Sequence, residues 1–205
     1  MKRVFLVFCI ATVLVLAAIT TGCNCSMEGY RTFTFDKVAH FAFEYPAHYS
    51  KYSAGADVVG DYRAIFIGFR DNIPSKGMSE GYITIYAEGA GITYPDATAA
   101  LEDTLSGFFE PEPWEEYEYE PKRLLELSTL TVAGIQAELI VYSYGWESIR
   151  EESTGLWVYL MRIAREVYFD HDNLIWQIVI ESDEDRAEVA EADFEHLLET
   201  FQILD

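Results

Sequence analysis

Leu156-Trp-Val-Tyr-Leu-Met-Arg-Ile-Ala-Arg-Glu-Val-Tyr-Phe169, Asp170-His-Asp-Asn173 and Leu174-Ile-Trp-Gln-Ile-Val-Ile180 follow one another without interruption. Two β-branched and aromatic runs separated by a short polar segment read as an antiparallel hairpin. Asp and Asn suit the turn because their side chains hydrogen-bond the local backbone and tolerate left-handed conformations. Ser182 comes next, with Asp185 three residues on, a capping-box-like start to a helix. Ala187, Ala190, Phe194, Leu197, Leu198 and Phe201 recur at helical spacing and mark its buried face. Residues 202–204 then suit a short edge strand.

The same grammar extends towards the N-terminus. Residues 124–131 pass through Ala133-Gly134 into 136–144, a second hairpin, and 62–69 and 82–87 are strand-like runs bounded by glycines. Between these last two, 71–81 reads as a loop around Pro74 and Gly77. Phe41, Phe43 and Tyr45 alternate until Pro46 ends their strand. A first helix is expected from Pro95, with Asp96 suited to the positive end of the helix dipole. Ala97, Ala100, Leu101, Leu105 and Phe108 would form its apolar face, and Gly107 and Pro111 its stop. Ala64-Ile-Phe-Ile67 and Leu139-Ile-Val-Tyr142 are apolar at consecutive positions, the mark of strands covered on both faces. Hairpins with two separated amphipathic helices predict an α+β fold: an α/β/α sandwich with a central, largely antiparallel sheet covered by two main helices.

At the N-terminus, Lys2 and Arg3 precede a run over 4–19 that is apolar apart from Thr12, and Thr20-Thr-Gly-Cys23 follows. A positive start, an apolar stretch and a small-residue site are the parts of a secretory signal peptide. The apolar run is shorter than the roughly 20 residues a membrane-spanning helix needs. A cysteine directly after the small residues resembles the bacterial lipobox, which implies cleavage before Cys23 and lipidation of Cys23. Thr20 stands where lipoboxes prefer Leu. An uncleaved anchor, or ordinary cleavage leaving Cys23 a plain thiol, are the competing readings. The expected organisation is a signal peptide over 1–22, a lipid-anchored tether over 23–32 and one domain over 33–205. Its location is then the extracytoplasmic face of the cell membrane. Cys9 would leave with the signal, and Cys25 reads as a free thiol in the tether.

The chain carries 35 acidic and 14 basic residues, a formal charge of −21, and losing Lys2 and Arg3 makes it more negative still. Such a surface repels phosphate, which excludes sequence-independent nucleic-acid binding. It also repels anionic headgroups, so membrane attachment falls to the anchor rather than to a basic face. Half of the residues are hydrophobic, which excludes disorder for the bulk of the chain.

Phe41-Ala-Phe-Glu-Tyr-Pro46, Thr131-Val-Ala-Gly-Ile-Gln-Ala137 and Phe194-Glu-His-Leu-Leu-Glu-Thr-Phe201, continuing as Thr200-Phe-Gln-Ile203, together resemble the PsbP-like family over roughly 33–205. Members open with a strand ending in aromatic-Tyr-Pro, carry a glycine hairpin before a long strand, and close with a helix running into a short strand. His48-Tyr49 departs from the pattern, since many relatives have a small residue and Trp there. The resemblance implies an α/β/α sandwich and a role in protein binding or assembly rather than catalysis, a warrant that rests on fold analogy.

No motif specifies a reaction. His40, His48, His171 and His196 show no zinc-type spacing and read as turn or surface residues. Asp170-His-Asp-Asn173 lacks the pattern of a calcium loop and reads first as a turn. No Gly-x-Ser-x-Gly elbow occurs, and Gly89-Ala-Gly91 lacks the third glycine and lysine of phosphate loops. With carboxylates throughout, no catalytic pair can be chosen. The strongest binding candidate is the acidic aromatic segment over 110–121. There Trp114, Tyr117 and Tyr119 sit beside Glu115 and Glu116, aromatic anchors with neighbours that would steer a cationic protein or envelope polymer. The expectation is a non-catalytic binding or assembly module with no cofactor and no metal. A small-ligand or metal-binding lipoprotein is the alternative, and an envelope hydrolase the more distant one.

Overall fold

The computed structural model describes residues 29–59, 62–72, 81–108, 122–150 and 157–204. Among the described residues there are ten strands and two α-helices: β1 (Tyr30–Asp36), β2 (His40–Pro46), β3 (Tyr49–Val59), β4 (Tyr62–Asp71), β5 (Tyr82–Gly89), α1 (Ala97–Ser106), β6 (Arg123–Val132), β7 (Ile135–Arg150), β8 (Trp157–His171), β9 (Leu174–Asp183), α2 (Ala187–Thr200) and β10 (Gln202–Ile203). Seven strands form one antiparallel sheet in the order β3-β4-β5-β9-β8-β7-β6, and β1-β2-β10 form a second, smaller one. The α+β expectation holds.

The β8–β9 hairpin shows how local chemistry sets register. His171 pairs with Leu174, leaving Asp172 and Asn173 as a two-residue turn with φ of 51° and 59°. Both angles lie in the left-handed region that matches the twist of the flanking strands, and Asp and Asn enter it at low cost. Ala133 and Gly134 turn β6 into β7 in the same way, at φ of 50° and 81°.

Register divides β8 and β9 between two cores. Val167 and Phe169 join Trp176, Ile178 and Ile180 on one face, with Ile65, Ile83 and Ile85 from β4 and β5. Over this face lie α2, through Phe194 and Leu197, and the small sheet, through Phe41 and Phe43. Tyr168, Ala164 and Ile175 point the other way, where α1 covers them with Ala97, Ala100 and Leu101. The molecule is thus layered around its large sheet, but not uniformly. Ile140 and Tyr142 are buried beneath α1, whereas Phe66 on β4 is 40% exposed. The ten-residue α1 does not reach β4, so Ala64-Ile-Phe-Ile67 is a strand with one fully covered face, contrary to the expectation of two.

The described residues correct four further readings. Strand β1 starts at Tyr30, inside the segment expected as tether, and pairs with β2 along its length. Strand β3 was not expected at all; it pairs only with β4 and carries a bulge between Lys51 and Ser53. Ser182 does not cap a helix: it lies in β9, a 3-10 turn spans Glu184–Arg186, and no side chain caps α2. Strand β7 continues to Arg150, past the expected end at 144. Asp96, by contrast, caps α1 as a helix-starting Asp should, its carboxylate accepting from the Ala99 N–H at 2.8 Å. Residues 73–80, the prolines of the 110–121 segment and the expected signal and tether up to residue 28 lie outside the described residues.

Candidate functional site

Because side chains alternate along strands, register alone assembles a polar layer beneath and beside α1. Gln177 on β9 lies opposite Tyr86 on β5 and Tyr168 on β8. Two residues away along β8, Glu166 shares their face. Its carboxylate accepts from the Tyr142 hydroxyl at 2.5 Å, from the Gln177 amide at 2.8 Å and from the Tyr168 hydroxyl. Tyr168 in turn meets Thr104 of α1 at 2.9 Å, so the network also fixes the helix to the sheet. A second buried carboxylate, Glu88 on β5, accepts from the Tyr86 hydroxyl at 2.8 Å and from Thr93 at 3.0 Å, both through Oε2.

Tyr86, Glu88, Tyr94, Ala100, Thr104, Tyr168, Ile175 and Gln177 enclose a cleft of about 100 Å³ between α1 and the sheet. Burial, followed by the neighbouring Glu166 charge, pushes the Tyr142 and Tyr168 phenols well above their ordinary range. The Tyr94 phenol, hydrogen-bonded to Asp103 at 2.7 Å, is pushed up to about 12. All three therefore remain hydrogen-bond donors at neutral pH.

The same face holds a differently balanced group. The Arg162 guanidinium lies 3.7 Å from Glu181 and 3.6 Å from Asp183, and Glu181 also accepts from Tyr144 at 2.8 Å. Glu181 thus has a cation beside it. Glu88 and Glu166, 4% and 5% exposed, have none among the described residues. Buried charge is costly unless it is paired or hydrogen-bonded.

The histidines do not behave as the sequence suggested. His48, expected in a solvated turn, is buried with its Nε2 3.4 Å from the buried Asp193 of α2. His196, expected as a simple surface group, lies 2.8 Å from Glu44 and stacks on Tyr30 with ring centroids 3.6 Å apart. His48 thus ties α2 to the β2–β3 turn, and His196 ties it to β1 and β2. His40 is exposed, and His171 lies 3.4 Å from the exposed Asp172. Asp170 accepts from the Ala97 N–H at 3.0 Å, fastening the start of α1 to the end of β8. Among the described residues no group of three or more His, Cys, Asp or Glu side chains is arranged to hold a metal ion. None of the described helices is long and apolar enough to cross a membrane.

Cys23, Trp114, Glu115, Glu116, Tyr117 and Tyr119 all lie outside the described residues. The chain leaves for the acidic aromatic segment at Phe108 and returns at Lys122. Phe108 packs edge-on against Tyr142 at 5.1 Å, and the Lys122 ammonium lies 5.9 Å from the centroids of both rings. The described residues on either side of that segment therefore meet at Tyr142, the residue that donates to Glu166. Sequence reasoning missed the Glu88 and Glu166 groups. The available signal was Glu166-Val-Tyr168, an acid and a phenol two apart on a strand otherwise built for burial.

No family model matches this chain, and no curated protein matches it. Several solved structures are similar to it. One is LpqN of Mycobacterium tuberculosis, involved in cell envelope biogenesis, at 12% identity over 87% of this chain and 93% of that one, with a TM-score of 0.43. Another is the cyanobacterial PsbP of Synechocystis, at 12% identity over 89% and 97%, with a TM-score of 0.49. A third, from Bacteroides thetaiotaomicron, is 11% identical over 85% of this chain and 48% of that one, with a TM-score of 0.43.

Proposed function

We propose that this chain is a lipid-anchored module on the extracytoplasmic face of a cell membrane, working by binding or assembly rather than by catalysis. The observation that carries the reading is the order of its first residues: positive start, apolar run, small residues, then Cys23. Two acyl chains on Cys23 would supply stable attachment, where one chain gives only marginal binding. The strongly acidic composition leaves that anchor as the principal hold on a membrane. The buried carboxylates support the non-catalytic half of the reading. Glu166 and Glu88 are held by phenol, amide and hydroxyl donors, an arrangement suited to fixed acceptors.

Intact-mass measurement of the membrane-extracted protein tests the anchor. The expected species begins at Cys23 and carries diacylglycerol, and Cys23→Ser moves the protein out of the membrane fraction. An unmodified chain beginning at Met1 or Ser26 would sink the reading.

In this proposal the partner surface is the acidic aromatic segment around Trp114, Tyr117 and Tyr119, and its partner is cationic. Phe108 and Lys122, the described residues that flank it, both pack against Tyr142. Crosslinking on intact membranes should recover a partner that the combined Trp114→Ala and Tyr117→Ala substitutions lose. An unchanged set of neighbours removes the segment from consideration. The cleft beneath α1 favours a second, small-ligand reading.

A further inference from the structure

We infer that the cleft between α1 and β5-β9-β8 is a binding site for an organic ammonium group, the end of a small amine. Three observations point to it together. The first is space: about 100 Å³ open beside α1, somewhat less than the roughly 150 Å³ of a cavity known to accept benzene. That admits a head group of a few heavy atoms with the remainder of the molecule pointing out.

The second observation is charge. Glu88 lines the cleft and is 4% exposed; Oε2 receives both of its hydrogen bonds, and Oε1 receives none from a described residue. Glu166 stands directly behind the lining residues Tyr168 and Gln177. Neither acid has a Lys, Arg or His partner among the described residues, while Glu181 on the same face of the sheet has Arg162. A cation bound in the cleft would occupy, for Glu88 and Glu166, the place that Arg162 holds for Glu181. The two acids also exclude an anionic ligand.

The third observation is the lining chemistry. Tyr86, Tyr94 and Tyr168 contribute aromatic walls, which attract ammonium groups through the ring quadrupole. Metal ions prefer several oxygen or nitrogen ligands converging on one point, and the described residues bring no three acidic, His or Cys groups together. An ammonium needs only one or two acceptors and an apolar, aromatic surround. The site does not depend on the anchor or on the acidic aromatic segment, and it stands or falls separately from them.

Calorimetric titration of the full chain in detergent, paired with thermal melting, tests the inference. Ethanolamine and choline are expected to bind saturably and raise Tm, because a ligand that binds only the folded state stabilises it. Glucose, acetate and calcium, tested alongside, are expected to do neither. Glu88→Gln keeps the shape of the side chain and removes its charge, and should weaken ethanolamine binding about tenfold or more. The melting curve of that variant without ligand reports whether it folds. A readout that needs no variant is the Gln177 side-chain amide signal, which should shift as ethanolamine is added to the wild-type chain. Glycerophosphoethanolamine distinguishes two sources of the same group. Weaker binding than ethanolamine assigns a free amine, and tighter binding a lipid headgroup, both supporting the ammonium site. Saturable binding of glucose or calcium without ethanolamine would overturn it, as would ethanolamine binding that Glu88→Gln leaves unchanged. Absence of any ethanolamine effect at millimolar concentration overturns it equally.

Discussion

Trp176→Ala is expected to lose about 3–5 kcal/mol of stability, the range for a large aromatic removed from a packed core. Trp176 is 0% exposed and sits on β9, the central strand of the large sheet. Its indole meets Phe41 edge-on at 5.1 Å, stacks with Phe169 at 5.9 Å and meets Phe201 edge-on at 5.8 Å. Those three rings come from β2, β8 and the end of α2, so the indole is where the small sheet, the large sheet and the last helix join. Strands on either side restrict collapse into the space it leaves, which places the loss towards the upper part of the range. Against a total stability of about 5–15 kcal/mol for a typical domain, the loss is large. Urea denaturation should show a lower midpoint with an unchanged slope. Trp176→Phe keeps most of the contact area and gives up no hydrogen bond, since Nε1 has no partner among the described residues. It should therefore cost clearly less. A loss below about 1 kcal/mol for the alanine variant would contradict this account of the core.

Arg186→Met should cost about 3–5 kcal/mol for a different reason, the stranding of a buried charge. Arg186 lies in the 3-10 turn before α2 and hydrogen-bonds Asp71, which ends β4 and is 4% exposed. Asp71 also pairs with Tyr49 in the sheet, and its backbone N–H donates to the Gly81 carbonyl at 2.8 Å. Burial, and after it the Asp71 charge, raises the Tyr49 phenol above its ordinary range. The ion pair is thus a clamp between the start of α2 and the β3–β4 end of the sheet. Removing the cation alone leaves the buried Asp71 carboxylate without its Arg186 partner, beside Tyr49, Ser182 and the second acid Asp183. Replacing both partners, as Asp71→Leu with Arg186→Met, should recover much of the loss, because two apolar groups need no solvation. Equal destabilisation by the single and double variants would show that packing, rather than charge, dominates there.

The large features of this fold were legible because burial repeats at a fixed period. The β8–β9 hairpin carries long apolar and aromatic runs on either side of Asp172-Asn173, and nothing in that pattern competes with it. Strand β3 was illegible for the opposite reason. Tyr-Ser-Lys-Tyr-Ser-Ala-Gly-Ala-Asp-Val-Val59 is largely exposed and rich in residues with little strand preference, and its partner β4 makes it a strand. The Ser182 cap misled because Ser and Asp three apart fit a capping box wherever they fall, and here the β8 ladder continues through Ser182 to Asp183. Of the candidate site, Tyr142, Glu166, Tyr168 and Gln177 belong to three strands, with Glu88 on a fourth. Their meeting is a property of strand order and register, which a run of 35 scattered acids does not advertise.

The early start of β1 has a mechanical consequence. In the proposed anchored form, only the six residues between Cys23 and Tyr30 separate the lipidated cysteine from β1, a reach of at most about 25 Å. A domain of this size is about 40 Å across by the usual scaling of compact chains. In that form the body could not rise by its own diameter, so whatever it met would lie within reach of the bilayer surface. In the same form its negative charge would push it outward from anionic lipid over a screening length of roughly 8 Å at physiological salt. Reach and repulsion together would then hold the anchored domain at a narrow standoff, wider at low ionic strength than at high.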